Sequence, residues 1–341
     1  MSALNTHLRA APAALLALIG LSACSGEQVP PLQALNIDHD RVAVAGMSSG
    51  AFMAHQLHLA YSNRLRGAAL FAGGPYGCAR GDLNIALGGC MNPSKAAQPD
   101  IGKLAQTARE RGESGALAPL SGLAGDRVYL WHGKQDQVVS EAITAGSAEI
   151  YRALAEDVTI ETSFDLKAAH VFPTEAAGNA CDSAESPYIG SCGFDGAGAA
   201  LQFLYSSASV TAPDAASGDL REFDAKVPTD AEVPGHTRGL VYLPKQCEEG
   251  KSCGLVIVLH GCEQSLGKIG DRFARDSGFN RWADALDLVV LYPQAQSSLM
   301  PLNPKACWDW WGYTGPDYDT RNGAQIKWIA AMSKALGAPL E

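Results

Sequence analysis

Apolar residues along the chain fall into two kinds of segment. Short β-branched or apolar runs stand at Arg41 to Ala45, Gly67 to Ala72, Arg127 to Trp131, Val158 to Ser163, Gly239 to Leu243, Leu255 to Leu259 and Leu288 to Tyr292, and each predicts a strand. Longer stretches of good helix formers lie between them, at Ser49 to Tyr61, Glu141 to Ala155, Phe273 to Leu286 and Gln325 to Leu336. Strands that are apolar throughout and alternate with helices predict an α/β fold, with a mostly parallel sheet covered on both faces. The stretch from Gly77 to Ala124 has little periodicity and reads as an insertion over a sheet edge. Ser206 to Gly218 is rich in Ser, Ala, Pro and Gly and reads as a linker or surface loop. Two domains divided near residue 210 would fit this layout, and so would one sheet completed by both halves. No internal repeat is visible.

Composition sharpens the picture. The 341 residues are 47% hydrophobic and 18% charged, enough to bury a full core. A net charge of −10 argues against a nucleic-acid partner. Residues 1–23 hold one Arg, no acid and an apolar run from Ala10 to Leu21, which is the pattern of an export signal and too short for an ordinary membrane span. The following Leu21-Ser22-Ala23-Cys24 resembles the lipobox of bacterial lipoproteins, in which the cysteine becomes the lipidated first residue. Loss of residues 1–23 would leave a mature chain, 24–341, with a net charge of −11. The expected location is therefore periplasmic or outer-membrane, or extracellular, with a lipid on Cys24 as the membrane attachment.

Eight further cysteines suit an oxidised framework. Eight allow 105 connectivities. Nearest pairing joins Cys78 to Cys90, Cys181 to Cys192 and Cys247 to Cys253, leaving Cys262 with Cys307. Zinc would want tight Cys-x-x-Cys or His pairs, which do not occur, so no metal is expected.

Gly46-Met47-Ser48-Ser49-Gly50 fits Gly-x-Ser-x-Gly, whose small residues let a chain turn sharply from strand to helix and expose the serine oxygen. The pattern is weak alone but here stands between a strand and a helix, as the turn requires. A serine nucleophile needs a base and an orienting acid. Asp136 follows the Arg127 to Trp131 strand at the carboxyl edge of the sheet, whereas its rival Asp126 precedes that strand. His170 follows the next strand in a loop, completing the chain order Ser, Asp, His of α/β-hydrolases. His39, His55, His58, His132 and His236 have plainer positions. The usual second oxyanion donor comes from a loop after an earlier strand. No such strand precedes Ser48, but Leu259-His260-Gly261-Cys262 supplies a strand and His-Gly turn far downstream. Circular permutation would account for that displacement.

Together with Cys307-Trp308-Asp309-Trp310-Trp311-Gly312, these motifs resemble the single-domain, circularly permuted poly(3-hydroxybutyrate) depolymerases over nearly the whole mature chain. The resemblance implies an α/β-hydrolase that cleaves aliphatic polyester or oligoester by serine-esterase chemistry, without a cofactor. It also implies oxyanion donors at the Ser49 and Cys262 amides, and a crevice tryptophan among Trp308, Trp310 and Trp311. A lipobox departs from freely secreted members of the family. No appended polymer-binding module is apparent, which favours amorphous or oligomeric substrate. A feruloyl or acetyl-xylan esterase would share the triad, and a noncatalytic lipoprotein binding apolar chains would share the groove.

Overall fold

The computed structural model describes residues 29–341 except 95–96, 207–208, 228, 230–232 and 234–236. The predicted export signal, Cys24 and His236 lie outside the described residues.

The first half of the chain builds β1 (Ile37–Met47), α1 (Ser49–Ala60), β2 (Gly67–Phe71), α2 (Leu83–Gly89), α3 (Ile101–Glu113), β3 (Arg127–Trp131), α4 (Glu141–Leu154) and β4 (Thr159–Ser163). Short strands β5 (Phe172–Thr174), β6 (Asn179–Ala180) and β7 (Ile189–Ser191) follow, then α5 (Gly196–Leu204). The second half adds β8 (Asp219–Asp224), β9 (Arg238–Leu243), α6 (Lys245–Glu248), β10 (Cys253–Leu259), α7 (Leu266–Ile269), α8 (Arg272–Asp276), α9 (Phe279–Leu286), β11 (Leu288–Tyr292) and α10 (Ala324–Ala335).

Both halves enter one eight-stranded sheet in the order β4-β3-β2-β1-β10-β11-β9-β8, which removes the option of separate sheets divided near residue 210. The seam is the parallel pairing of β1 with β10, where Val44 faces Ile257 and Gly46 faces Leu259. All pairings from β4 to β11 are parallel, and β9 runs antiparallel to both its neighbours. A separate three-stranded parallel sheet, β5-β7-β6, follows β4 in the chain, with Phe172 of β5 packed on Phe71 at the end of β2.

Period-two alternation assigns the side chains of the central strands to two cores. Val42, Val44, Leu255 and Ile257 pack on one face with Phe52, Ile143 and Ile326 from α1, α4 and α10. Ala43, Ala45, Val256 and Val258 pack on the other with Leu201, Phe273 and Phe279 from α5, α8 and α9. Burial on both faces is why these strands read as continuous apolar runs.

Three expectations are corrected. The stretch 77–124 is not shapeless: it contains α2 and α3, each started by an Asp whose carboxylate accepts N–H groups of the first turn, Asp82 from Asn84 and Ile85, and Asp100 from Lys103. The single helix expected from Phe273 to Leu286 is two, because Gly278 takes a left-handed φ of 92°. The Asn280 side chain then donates to the freed carbonyl of Ala274 at 2.9 Å. Strand β8 was not foreseen, since an edge strand of alternating exposure carries polar residues and lacks the apolar run of its buried neighbours.

All four expected disulfides are present: Cys78–Cys90, Cys181–Cys192, Cys247–Cys253 and Cys262–Cys307. No described helix is long and apolar enough to cross a membrane.

Candidate active site

The turn from β1 into α1 needs its glycines. A Cβ on Gly46 would overlap the carbonyl of Gly50, and one on Gly50 would overlap the carbonyls of Leu259 and His260. These contacts let the start of α1 press against the end of β10. Between them Ser48 sits at φ 54° and ψ −119°, outside the regions that non-glycine residues favour, with its N–H donating to the Phe71 carbonyl at 2.8 Å. The strained turn lifts the hydroxyl off the sheet edge.

The structure brings Ser48, His170 and Asp136 together. Ser48 Oγ is 2.9 Å from His170 Nε2, and His170 Nδ1 is 2.6 Å from Asp136 Oδ2. The other Asp136 oxygen accepts the N–H groups of Val138 at 2.8 Å and Val139 at 3.0 Å. Burial pushes the Asp136 carboxyl upward, but the hydrogen bond and charge of His170 and those two amides outweigh it and hold the group below the ordinary carboxylate range. Asp136 is therefore ionised and fixes the proton of His170 on Nδ1, which leaves the Nε2 lone pair facing the Ser48 hydroxyl. The acid and histidine loops are joined by backbone bonds, from Lys134 N–H to the Leu166 carbonyl at 2.8 Å and from Gln135 N–H to the Ala168 carbonyl at 2.9 Å.

The rival residues have other partners. Asp126 is buried against His58 Nε2 at 3.0 Å, and His58 Nδ1 meets the Tyr151 hydroxyl at 2.8 Å. His132 Nε2 donates to the Val139 carbonyl at 2.9 Å, and His55 stacks on Tyr151. His39 lies at the surface against the Gly337 carbonyl.

The late His-Gly turn lies beside the early serine. A Cβ on Gly261 would stand 3.3 Å from that of Ser48. His260 Nε2 accepts the Ala295 N–H at 3.1 Å, so its proton is on Nδ1, which donates to the Gly261 carbonyl at 2.7 Å. In a trans peptide the C=O and the next N–H point in opposite directions. Holding the Gly261 oxygen thus sets the direction of the Cys262 N–H. Among the described residues no acceptor takes this amide or that of Ser49.

Ser48 and His170 open onto a cavity of about 490 Å³ whose walls include Phe52, Leu87, Met91, Val138, Trp310 and Trp311. Trp310 stacks on Phe52 with ring centroids 4.3 Å apart, and Trp311 meets Trp310 edge-on at 5.8 Å. Asp309 shapes this segment, its carboxylate accepting the N–H groups of Trp311, Gly312, Tyr313 and Thr314. Trp308 does not belong with the other two. It does not line the cavity but is wholly buried against His260 and Trp328, because the chain bends from Asp309 onward around that residue's carboxylate and carries the next two indoles to the cavity.

The aliphatic rim was missed in the sequence. Leu83 and Leu87 are four residues apart on α2 and follow an Asp N-cap, a signal too short to stand out. Among the described residues no group of three or more His, Cys, Asp or Glu side chains could hold a metal ion.

A mostly parallel sheet with helices on both faces, and a serine on a strained strand-to-helix turn beside a histidine and a carboxylate, define an α/β-hydrolase. No protein-family model matches the chain. It is 36% identical over 340 residues to a poly(3-hydroxybutyrate) depolymerase of Delftia acidovorans, covering 97% of this chain and 66% of that one. It is 34% identical over 320 residues to a polyhydroxybutyrate depolymerase of Talaromyces funiculosus, covering 89% of this chain and 92% of the relative. The crystal structure of a PHB depolymerase from Penicillium funiculosum superposes with a TM-score of 0.80 at 32% identity, over 90% of this chain and 98% of that one. A PHB depolymerase with serine replaced by alanine, complexed with an R3HB trimer, is equally similar. The chain belongs to the poly(3-hydroxybutyrate) depolymerases, a family of ester hydrolases. It spans just under two thirds of the length of the Delftia relative.

Proposed function

We propose that the protein is an exported serine esterase that hydrolyses poly(3-hydroxybutyrate), or a related short-chain polyhydroxyalkanoate, to 3-hydroxyacid oligomers and monomers. The observation that carries this reading is the Ser48–His170–Asp136 chain of hydrogen bonds at the wall of an apolar cavity. An aliphatic polyester offers methyl and methylene groups and uncharged carbonyls, and such a cavity suits it.

Ser48 Oγ attacks the ester carbonyl as its proton moves to His170 Nε2, with Asp136 stabilising the imidazolium. The Ser49 and Cys262 amides hold the oxyanion. His170 then protonates the departing alkoxide, leaving an acyl group on Ser48. In the second half a water gives its proton to His170 and attacks the acyl carbon, freeing a carboxylic acid and restoring the serine. Trp310 and Trp311 provide apolar walls for the chain.

Further parts of the reading concern the whole chain. Residues 1–23 act as the export signal and Cys24 carries the lipid, so that the mature enzyme, 24–341, is a single catalytic unit attached to a membrane. Its order is circularly permuted: the strand and oxyanion turn that come before the nucleophile in other α/β-hydrolases are β10 and His260-Gly261-Cys262 here. The pairing of β1 with β10 supports this order. Clearing of turbid amorphous poly(3-hydroxybutyrate) by the purified protein tests the assignment. Wild type should clear the suspension and Ser48→Ala should not; equal clearing by both would remove it.

A further inference from the structure

We infer that Gln264 is a positioning residue that sets the Cys262 amide in register with His170. The inference rests on the proposed roles of Ser48, His170 and Cys262. The side chain is 1% exposed and uses both ends. Its Oε1 accepts the Gly261 N–H at 2.7 Å, on the oxyanion side. Its Nε2 donates to the carbonyls of Pro187 and Tyr188, each at 3.0 Å. The Tyr188 carbonyl also accepts the Phe172 N–H at 2.8 Å, two residues beyond His170.

One carboxamide thereby joins the loop bearing the oxyanion donor to a segment about 75 residues earlier, which is itself hydrogen-bonded to the strand that follows His170. The backbone N–H of Gln264 returns to the Gly261 carbonyl at 3.3 Å, so Gly261 is held at both its polar groups. Of the other ties of this loop, the Cys262–Cys307 disulfide and the bond from Glu263 N–H to the Lys305 carbonyl at 2.7 Å lead to the tryptophan segment, and the Tyr188 hydroxyl donates to Glu263 Oε2 at 3.2 Å. The first two fix where the loop is, and the third stands at a partly exposed carboxylate where water can replace it. Gln264 is the buried tie between this loop and the histidine side. Glutamine suits the position because a single planar group offers an acceptor to an amide and a donor to carbonyls. Its burial means that water does not readily replace a lost partner.

Gln264→Met keeps the volume and loses both ends, whereas Gln264→Glu keeps the acceptor and loses the donor. An oxyanion donor out of place weakens the transition state more than the ground state. For Gln264→Met, kcat on a soluble short-chain ester should fall by about 100-fold, the scale of removing one oxyanion donor, with KM within about twofold. Affinity for a trifluoromethyl ketone, which binds as an oxyanionic adduct of the serine, should fall in step. Affinity for an unreactive ether analogue of the substrate should stay as in wild type. Gln264→Glu should show the same split with a smaller loss. Near-UV circular dichroism reports whether each variant is folded; if Gln264→Met is not, the Glu variant alone decides. A folded variant with wild-type kcat and ketone affinity, or one that loses ether and ketone affinity equally, would overturn the inference. Ser48→Ala separates this from failure of the underlying reading: undiminished ketone binding there would refute the nucleophile, whatever Gln264 does.

Discussion

Asp136 and His55 are both buried beside other polar groups, and acid weakens the fold through each of them, in different pH windows. Asp136 is held ionised by His170 and two backbone amides. Replacing it with Asn keeps the shape, but the amide no longer demands a proton on His170 Nδ1. In the mechanism proposed above, Asp136→Asn should lower kcat by about 10⁴-fold while leaving the fold intact, as measured on a soluble ester. His55 has its pKa lowered from 6.5 to about 3, because burial outweighs its bond to the Gly74 carbonyl. The unfolded chain therefore binds a proton below about pH 6.5 that the native state refuses. Stability contributed by a neutral His55 is complete above pH 6.5 and is lost as the pH falls toward 3. Asp136 acts in a lower window: its folded pKa is depressed, so its contribution is present above the ordinary carboxylate value of about 3.9 and disappears as pH falls through the depressed one. Urea titrations between pH 7 and 4 should show a falling midpoint for wild type. His55→Phe, which retains a ring against Tyr151, should show a flatter dependence; an equal slope would exclude His55 as the source.

The junction of β1, α1 and β10 depends on the absence of side chains where backbones meet. Gly50→Ala puts a carbon into the carbonyls of Leu259 and His260, which are backbone atoms of the central sheet and cannot turn aside. The first turn of α1 must move away, carrying Ser49 from the His-Gly turn. Activity on a soluble ester should fall by about 100-fold, the loss that a 1 Å misplacement can produce, and the thermal midpoint should drop. An active, equally stable variant would show that the junction has slack. Within these elements, legibility followed local contrast. The elbow was readable because its glycines, serine, strand and helix are contiguous. Helix α3 carries Ile101, Leu104, Ala105 and Ala108 at helical spacing, but two of the four are alanines, which contrast weakly with their surroundings. Strand β8 pairs only with β9 among the main strands and takes its identity from backbone bonds, which the residue pattern does not encode.

Among the described residues, the two halves of the molecule interlock without a disulfide between them. Cys78–Cys90 and Cys181–Cys192 lie before the exposed 209–216 loop, and Cys247–Cys253 and Cys262–Cys307 lie after it. What joins the halves is burial on either side of the β1–β10 seam. A protease site placed between Asp214 and Ala215, once cut, should leave one species on a native gel and two bands on a denaturing gel run without reductant. Esterase activity should survive the cut, because Ser48 and Gly261 are held by sheet pairing and not by the loop. Separation of the halves under native conditions would contradict this.

Short-range chemistry was therefore decided by the amino-acid order alone: the elbow, the acid loop, the histidine loop, and disulfides between near neighbours. Each depends on residues close enough along the chain for spacing to carry the constraint. Tertiary structure decided the rest. It placed Gly261 against Ser48, kept Trp310 and Trp311 at the cavity while burying Trp308, and tied Gln264 to the carbonyls of Pro187 and Tyr188. Those contacts join positions tens to hundreds of residues apart, and they exist only because packing two apolar faces of one sheet brings such segments to the same edge.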